Sequence, residues 1–587
     1  MSRARKMPSH PSLQYAGSWE DPAKLFGANV PREFLIGRVR NCSWEKSYTQ
    51  LARLAAKVAH HNVDSEAIRV LTVDPLLALK GDASAASIIA AARSAVSERR
   101  NKMFIAHEQA ISFLQHLVLM EGGDSDSEPL APEISLWLAC SGAFLGSWQV
   151  AEDEASSEED TLVAELSTAF RFNNKADPVR TLVRSARLFA EQPAHGELSA
   201  KETWESLRAK AFGGSYDEFF DSVLGTLFML SQMWGDENSK WPEPEIDLAS
   251  FLKETKVDPM HFQNLMQILS ADRDTLREEI RQRTIDGLPH APTALLYHPF
   301  VKLGPNRFVA ASPWAVLHQV RFAPWAQLMY AAKSASPKRS PDSWFRAFGN
   351  QLEGWCRRLA AEAQRSPICR GKFHMPKAPG GADEVEDVVL KEGRAVVLFS
   401  VKSRVMDAKA ARESFSVSRT MDWYKKYFFE KKGDDYRGGA IRQIDMRIRM
   451  IQEGKFEAQG ISRRARILPV IVTYDSLGES DALYKWLEDQ CVTERLLQGP
   501  MIGPVTLARI DEFEDLMARI ADGKSVVELL RRREHVDRYR RLEQIIHEHD
   551  LPRKRRRLPF FNDDWVVLNN RILGRLFRKE ETGSGTA

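Results

Sequence analysis

The sequence of 587 residues has little cysteine and no long apolar run. Its 5 cysteines are scattered and form no CxxC pair, which argues against a disulfide framework or a zinc ribbon and favours a reducing compartment. The most apolar stretch, 223–234, is too short and too interrupted to span a bilayer. The basic stretch 1–12 has no apolar run behind it, unlike a secretory signal. We therefore expect a cytoplasmic protein with no membrane contact.

Signature motifs of several enzyme classes are also missing. The sequence has no GxxxxGK[ST] phosphate loop, no GxGxxG after a strand pattern and no GxSxG nucleophile elbow. Intrinsic NTPase activity is therefore not indicated. The composition is otherwise that of a globular protein, with 43% hydrophobic and 28% charged residues, and it excludes a chain that is disordered throughout.

The charge is unevenly distributed along the chain. Residues 341–587 hold 46 Lys and Arg against 38 Asp and Glu, a net of +8, whereas 1–340 hold 37 against 42, a net of −5. The most basic segment, 531–557, holds 11 against 5 and ends in one continuous run: Arg553, Lys554, Arg555, Arg556 and Arg557. This run is expected to bind phosphates of a nucleic acid. A nuclear localisation signal, a solvated tail or a contact with an acidic protein surface are the alternatives.

The sequence pattern predicts a multidomain α + α/β protein. Residues 1–290 show mostly helical spacing and predict an irregular all-α domain that senses a trigger, binds a protein partner or forms a homo-oligomer. Residues 291–340 predict a short hairpin, a helix and a polar linker. Residues 341–534 predict an α/β domain, and 535–587 a basic helical extension.

The α/β part has a regular order of helix and strand patterns. A helix, a β-hairpin, a second helix and further strands alternating with helices predict a central mixed sheet. The predicted helices are 343–364, 440–452, 480–497, 512–520 and 525–548. The predicted strands are 385–390, 395–401, 467–473 and 505–510.

Polar residues with possible chemistry lie on the first helix and the hairpin. Glu353 is on the helix, and Asp387 begins the apolar part of the first strand. Ser400 and Lys402 end the second strand on one face, about 7 Å apart, because strand side chains alternate. Asp387 can approach both of them across the hairpin.

This constellation resembles the PD-(D/E)XK nuclease superfamily, which has a restriction-endonuclease-like fold. The resemblance is confined to the α/β part of the chain. It implies that Glu353 matches the helix Glu and Asp387 the strand Asp, both ligands of Mg²⁺ or Mn²⁺, and that Lys402 is the motif lysine. Ser400 falls at the second acidic position of the motif. Gln443 matches a Gln that many members carry on the following helix.

The chemistry of phosphodiester hydrolysis fits these residue types. A hard cation held by carboxylates neutralises the phosphate and activates water. Lys402 would stabilise developing charge or orient the water, and Gln443 would bind a phosphate or the lysine. Because serine is an uncharged and weaker ligand, Ser400 predicts lower metal affinity unless Glu353 or Glu386 compensates.

The segment 421–437 mixes lysines with aromatic residues. Such a segment can follow a phosphate backbone and stack bases. An amphipathic helix that buries Trp423, Tyr427 and Phe428 in the core is an equally good interpretation. The expected phosphate contacts in this segment are Lys425, Lys426 and Arg437.

Three hypotheses follow from the sequence. The first is a metal-dependent nuclease, with DNA as the substrate by analogy with the family and with bacterial anti-phage defence or a mobile element as the setting. The second is a catalytically inactive subunit that keeps a nuclease-like fold and binds nucleic acid or a protein. The third is an all-α assembly scaffold, which a wide separation of Glu353, Asp387 and Lys402 would support.

Overall fold

The structure is a computed structural model, and it describes the chain in segments. These are 37–60, 107–120, 126–137, 178–190, 204–232, 244–254, 257–335 without 283, 286–287, 290–292 and 322, 342–375, 385–403, 417–431, 438–550 without 476, 478–480 and 537, and 557–576, with single positions at 75, 86 and 90.

The helices of the described residues are, in chain order, α1 (Trp44–His60), α2 (His107–Leu119), α3 (Pro178–Ala190), α4 (Trp204–Phe212), α5 (Tyr216–Gln232), α6 (Leu248–Glu254), α7 (Pro259–Leu269), α8 (Arg273–Arg281), α9 (Thr293–Tyr297), α10 (Pro313–Arg321), α11 (Ala323–Ala335), α12 (Asp342–Gln364), α13 (Val417–Phe429), α14 (Ala440–Gln452), α15 (Asp481–Thr493), α16 (Ile510–Ala521), α17 (Val526–Val536), α18 (Leu542–Asp550) and α19 (Pro559–Leu576). Further helical stretches cover 37–40 and 131–137, and a 3-10 helix covers Glu457–Gln459. Among these residues, no helix combines the length and the apolar character needed to cross a bilayer.

The strands of the described residues are, in chain order, β1 (Glu245–Asp247), β2 (Ser270–Asp272), β3 (Thr284–Ile285), β4 (Leu288–Pro289), β5 (Phe300–Lys302), β6 (Arg307–Ala310), β7 (Lys372–His374), β8 (Val388–Glu392), β9 (Ala395–Lys402), β10 (Arg466–Thr473) and β11 (Thr506–Arg509).

The described residues divide into two compact units. Those within 1–154, 221–319 and 575–587 form the first unit, and those within 155–220 and 320–574 form the second. The described residues 178–190 and 204–220, which belong to the predicted helical domain, fall in the second unit with the α/β part. The protein is mixed α/β, as expected.

The first unit contains helices and a small sheet. Its sheet has the order β1-β6-β5-β2, in which β1/β6 and β5/β6 are antiparallel and β2/β5 is parallel. The β5–β6 hairpin confirms the hairpin predicted near residue 300. The strands between 245 and 289 show that the prediction of an all-α fold for 1–290 is wrong. These strands are two or three residues long, which is too short for an alternating apolar and polar pattern to be recognised in the sequence.

The second unit is built on a five-stranded mixed sheet with the order β11-β10-β9-β8-β7. The pairs β7/β8 and β8/β9 are antiparallel, and β9/β10 and β10/β11 are parallel. Strand β9 is central and buried along almost its whole length, which explains its continuous apolar sequence.

The two faces of this sheet are covered by different helices. On one face, Val396 and Leu398 of β9 join a buried cluster with residues of α13, α14 and α15. On the other face, Phe399 meets Phe513 of α16 edge to face, with ring centroids 5.1 Å apart. Because strand side chains alternate, Ser400 and Lys402 belong to the same face of the sheet as Val396 and Leu398, the face covered by α14.

Gly439 fixes the start of α14 against the end of α13. Its N–H donates to the Glu430 carbonyl at 2.8 Å. A Cβ at this position would lie 2.3 Å from the Phe428 carbonyl carbon, so no larger residue fits without a backbone shift. Helix α14 then runs over the bounds predicted from the sequence.

Helix α3 is joined to α16 by a buried ion cluster within the second unit. Arg184 lies 2.7 Å from both Asp511 Oδ1 and Glu514 Oε1. Arg321, at the end of α10, lies 2.6 Å from the other oxygen of Asp511. The pKa of Asp511 is held far below its usual range by the arginines, although burial acts in the opposite direction. Since breaking one partner would strand a buried charge, this cluster ties α3 to the α/β unit.

The C-terminal helix α19 also packs on the second unit. Phe561 is fully buried beside Trp355 of α12, with ring centroids 5.8 Å apart. Asp564 accepts from Arg187 of α3 at 2.8 and 3.1 Å and from Arg358 of α12 at 3.4 Å. This part of the predicted basic extension is therefore a docked helix.

Candidate active site

The candidate site lies at the open end of the β8–β9 hairpin. The ladder ends with Val388 opposite Phe399, so Asp387 and Ser400 come next at the edge where the strands separate. Lys402 is the last residue of β9 and lies beside Thr473 of β10. Helices α12 and α14 approach this edge from opposite faces of the sheet.

Asp387 is anchored by the backbone of β9. Its Oδ2 accepts a hydrogen bond from the Val401 N–H at 2.7 Å, and the residue is 8% exposed. This bond satisfies a backbone donor beyond the end of the β-ladder, which an apolar residue at position 387 would leave unpaired. Asp387 therefore has a structural role at the open end of the hairpin.

Arg357 of α12 lies between Glu353 and Asp387. Its Nη2 is 3.1 Å from Glu353 Oε2 and 4.0 Å from Asp387 Oδ1, and its Nε donates to the Asp387 carbonyl at 3.3 Å. The three side chains are 11% to 21% exposed. The structure thus brings the two predicted metal ligands, Glu353 and Asp387, to the same guanidinium, which forms an ion pair with Glu353 and lies near Asp387.

Glu386 adds a second carboxyl directly beside Asp387. Burial and, to a lesser extent, the charge of Asp387 raise its pKa to about 7. Lys402, Ser400 and Arg447 partly oppose this shift by favouring the ionised form. A carboxyl with a pKa near neutrality in a pair of adjacent carboxyls is typical of a functional site.

Ser400 and Lys402 face Glu386 from β9. Ser400 is fully buried, and its Oγ has no well-formed hydrogen bond among the described residues, yet it lies close enough to favour ionised Glu386. Lys402 is half-buried, and its ammonium also favours the ionised carboxyl. An incompletely satisfied buried hydroxyl beside two carboxyls leaves an oxygen available for a further ligand.

Gln443 and Arg447 are one turn apart on α14. The Gln443 amide donates to the Gly438 carbonyl at 2.6 Å, so it binds the backbone directly before its own helix. The charge of Arg447 acts on Glu386. Arg447 is therefore the α14 residue with an electrostatic link to the site, and the contact shown by Gln443 is structural.

The donor set suits a hard divalent cation. Asp387 and Glu386 supply carboxylate oxygens, and Ser400 supplies a buried hydroxyl that lacks a well-formed hydrogen bond; these are the oxygen donors that Mg²⁺ or Mn²⁺ accepts. Burial and the charge of Asp387 raise the Glu386 pKa, and a bound cation would oppose both by favouring the ionised carboxylate. Within the described ranges, no group of three or more His, Cys, Asp or Glu residues has the arrangement of a metal site.

The predicted nucleic-acid contacts divide into three groups. Lys425 and Lys426 are exposed on α13, whereas Trp423, Tyr427 and Phe428 are buried in the core. The segment is thus the amphipathic helix of the second interpretation, and base stacking by these rings is not supported. Arg557 is half-buried. The remaining predicted contacts lie outside the described residues: Arg437, Arg553, Lys554, Arg555 and Arg556.

Sequence reasoning gave too little weight to Glu386 and overlooked Arg357 and Arg447. Glu386 directly precedes Asp387, and two adjacent acidic residues were the sequence signal that both could belong to the site. Arg357 follows Glu353 by four residues and Arg447 follows Gln443 by four, a spacing that places both members of each pair on one helix face. That spacing could have identified both arginines.

Comparisons with known proteins add no relative. A scan against protein-family models gives no match, and a search among curated proteins finds none either.

Proposed function

We propose that the chain is a metal-dependent nuclease that hydrolyses phosphodiester bonds, with DNA as the substrate and Mg²⁺ or Mn²⁺ as the cofactor. The observation that carries the proposal is that Asp387, Glu386 and Lys402 meet at the open end of one hairpin. The order of helix, hairpin, helix and strand around a mixed sheet supports it. The reaction type comes from the superfamily that the hairpin resembles.

The residues divide the chemistry among them. Asp387 and Glu386 would hold the cation, which when bound neutralises phosphate charge and lowers the pKa of water. Glu386 has a pKa of about 7 and gives up its proton readily in that setting. Lys402 donates hydrogen bonds to the phosphate oxygens as the P–O ester bond breaks, and Arg447 adds positive charge from α14.

A second candidate function is a nucleic-acid-binding subunit without catalysis. One observation favours this second function. Arg357 pairs with Glu353 and lies near Asp387, and these two carboxylates are the metal ligands that the resemblance to the family implies. Ser400, in place of an acidic residue, points in the same direction. The exposed Lys425 and Lys426 would serve either function.

Cleavage of supercoiled plasmid DNA with Mg²⁺ or Mn²⁺ tests the first function. We expect Asp387→Asn and Lys402→Gln to lose at least about a hundredfold in rate. Lys391→Gln is the matched control, because Lys391 lies at the other end of the hairpin and binds the Gly460 carbonyl at 2.6 Å. Equal cleavage by wild type and both site variants would contradict the assignment. Salt-sensitive binding without cleavage in any of them would favour the second function.

The biological setting is part of the same proposal. In an anti-phage or mobile-element effector, the first unit would sense a trigger or bind a partner, and cleavage would be restrained until then. Measuring plasmid cleavage by the full chain and by residues 155–220 co-expressed with 320–574 would test this restraint. Higher activity of the separated second unit is expected, and equal activity of both forms would contradict the idea.

A further inference from the structure

Arg357 gives the site a positive charge of its own. Its guanidinium reaches Glu353 at 3.1 Å and lies 4.0 Å from Asp387, while its Nε bonds the Asp387 carbonyl at 3.3 Å. With 17% of its side chain exposed, Arg357 is held in a largely desolvated place where charges interact strongly. A guanidinium fixed at several points is a pre-organised counter-ion.

The carboxyls of the site face different positive charges. Glu353 and one oxygen of Asp387 are on the Arg357 side. Glu386 is on the α14 side, with Lys402 and Arg447. Because the Arg357 guanidinium already lies beside Glu353 and Asp387 Oδ1, a cation that binds Asp387 must approach it from the Glu386 side.

We propose that Arg357 is an internal counter-ion that limits the site to one divalent cation, held by Asp387 and Glu386, and that it prevents Glu353 from acting as a metal ligand. This inference rests on the proposed function, since the cation is the cofactor assigned there. Arg357 is a positioning residue in this scheme: it acts on the cation through Glu353 and Asp387.

Neutralising Arg357 should change metal binding in a defined direction. In Arg357→Gln, the Glu353 carboxylate loses the guanidinium that lies 3.1 Å away, so a cation can compete for that carboxylate. The loss of a nearby positive charge also removes repulsion toward the cation. We expect Mn²⁺ to bind more tightly, by roughly the 10- to 100-fold by which outer partners change metal affinity, and a second equivalent to bind.

The experiment measures Mn²⁺ binding to the full chain without nucleic acid. Free Mn²⁺ is counted by its EPR signal during titration of EDTA-treated wild type, Arg357→Gln, Arg357→Lys and Arg365→Gln. Arg365 is the matched control because it directly follows the end of α12, its side chain is 73% exposed and it pairs with Glu362. Wild type, Arg357→Lys and Arg365→Gln should each bind one ion.

A thermal melt with and without Mn²⁺ supplies a second readout. Arg357→Gln should be less stable than wild type without metal and should gain more in Tm from Mn²⁺, since tighter binding to the folded state stabilises it more. If Arg357→Gln fails to fold without metal, recovery of a folded protein on adding Mn²⁺ supports the proposal, and failure to recover overturns it.

The possible results separate this inference from the proposed function. Mn²⁺ binding that is the same in wild type and Arg357→Gln overturns the inference and leaves the nuclease proposal standing. Tighter Mn²⁺ binding by Arg357→Gln, together with no DNA cleavage by the wild-type protein, supports the inference and defeats the nuclease proposal. Absence of Mn²⁺ binding in all four proteins overturns both.

Discussion

The Asp387 carboxylate accepts a hydrogen bond of 2.7 Å from the Val401 N–H, across the open end of the β8–β9 hairpin. The same carboxylate lies 4.0 Å from the Arg357 guanidinium. One side chain therefore closes the hairpin and shapes the candidate site. The two roles can be separated, because asparagine keeps an acceptor oxygen and loses the charge.

Substitutions of Asp387 should divide along these lines. Asp387→Ala leaves the buried Val401 N–H without its partner, so the free energy of unfolding should fall by about 1–3 kcal/mol. Asp387→Asn should retain more of that stability, since its Oδ1 can still accept the bond. Urea unfolding checks the stabilities and plasmid cleavage the activities. Both variants should be inactive; an active Asp387→Asn would show that the charge is dispensable.

The stability of the metal-free protein should depend on pH through Glu386. The folded-state pKa is about 7 and the ordinary value is 4.5, so between these values the folded protein binds more protons than the unfolded chain. Stability therefore falls as pH rises through this window, by on the order of 3 kcal/mol from this group. The charges that face it are Asp387, Lys402 and Arg447.

Glu386→Gln isolates this effect. Its stability relative to wild type should increase from pH 4.5 to pH 8, measured by urea unfolding in EDTA. The same difference measured at both pH values would show that Glu386 titrates normally in the folded protein.

The ion cluster around Arg184 should be essential to the stability of the second unit. Arg184 and Glu514 are 2% and 0% exposed. Arg184→Met would strand the buried carboxylates, so we expect a loss of about 3–5 kcal/mol in urea unfolding. Arg184→Met with Glu514→Gln should recover part of it. Arg187→Met is the control: Arg187 is 38% exposed and pairs with Asp564, so it should cost about 1 kcal/mol or less.

Local patterns predicted much of the second unit. Helix α14 was predicted at its observed bounds because Ile441, Ile444, Ile448 and Ile451 recur at helical spacing and are all buried. Strand β7 was not predicted, since three residues give no usable alternation.

Tertiary contacts explain where the predictions failed. The predicted helix 525–548 is two helices, α17 and α18. Arg533 of α17 donates to the carbonyl of Arg540, which lies in the turn between the two helices, at 2.8 Å. The periodicity of apolar residues does not predict such a contact. The burial of Arg184 likewise depends on carboxylates more than 300 positions later in the chain, at Asp511 and Glu514.

The candidate site was predictable in outline. The hairpin placed Asp387 near Lys402, as strand geometry requires. The pairing of Glu353 with Arg357 was not predicted. Their spacing of four residues shows that they share a helix face, but it does not show that this face is directed toward Asp387. The same holds for Gln443, whose amide binds the Gly438 carbonyl.

The exposed lysines of α13 should contribute to nucleic-acid binding by charge alone. Lys425 and Lys426 are exposed, while the aromatic rings of the same helix are in the core. Replacing both lysines with alanine should weaken binding to DNA of any sequence. If each lysine neutralises one phosphate, the slope of log K against log salt should decrease by about 1.8, since each contact contributes roughly 0.9.

Fluorescence anisotropy with a labelled duplex at several salt concentrations measures this slope. Lys524→Ala combined with Lys455→Ala is a charge-matched control away from α13; it should leave the slope unchanged if the α13 lysines are the contacts. Trp423→Ala should instead lower the stability of the fold, because Trp423 stacks on Tyr427 with ring centroids 4.8 Å apart. An unchanged salt slope in the α13 double variant would exclude this helix from the nucleic-acid surface, since removing two phosphate contacts must release fewer counter-ions.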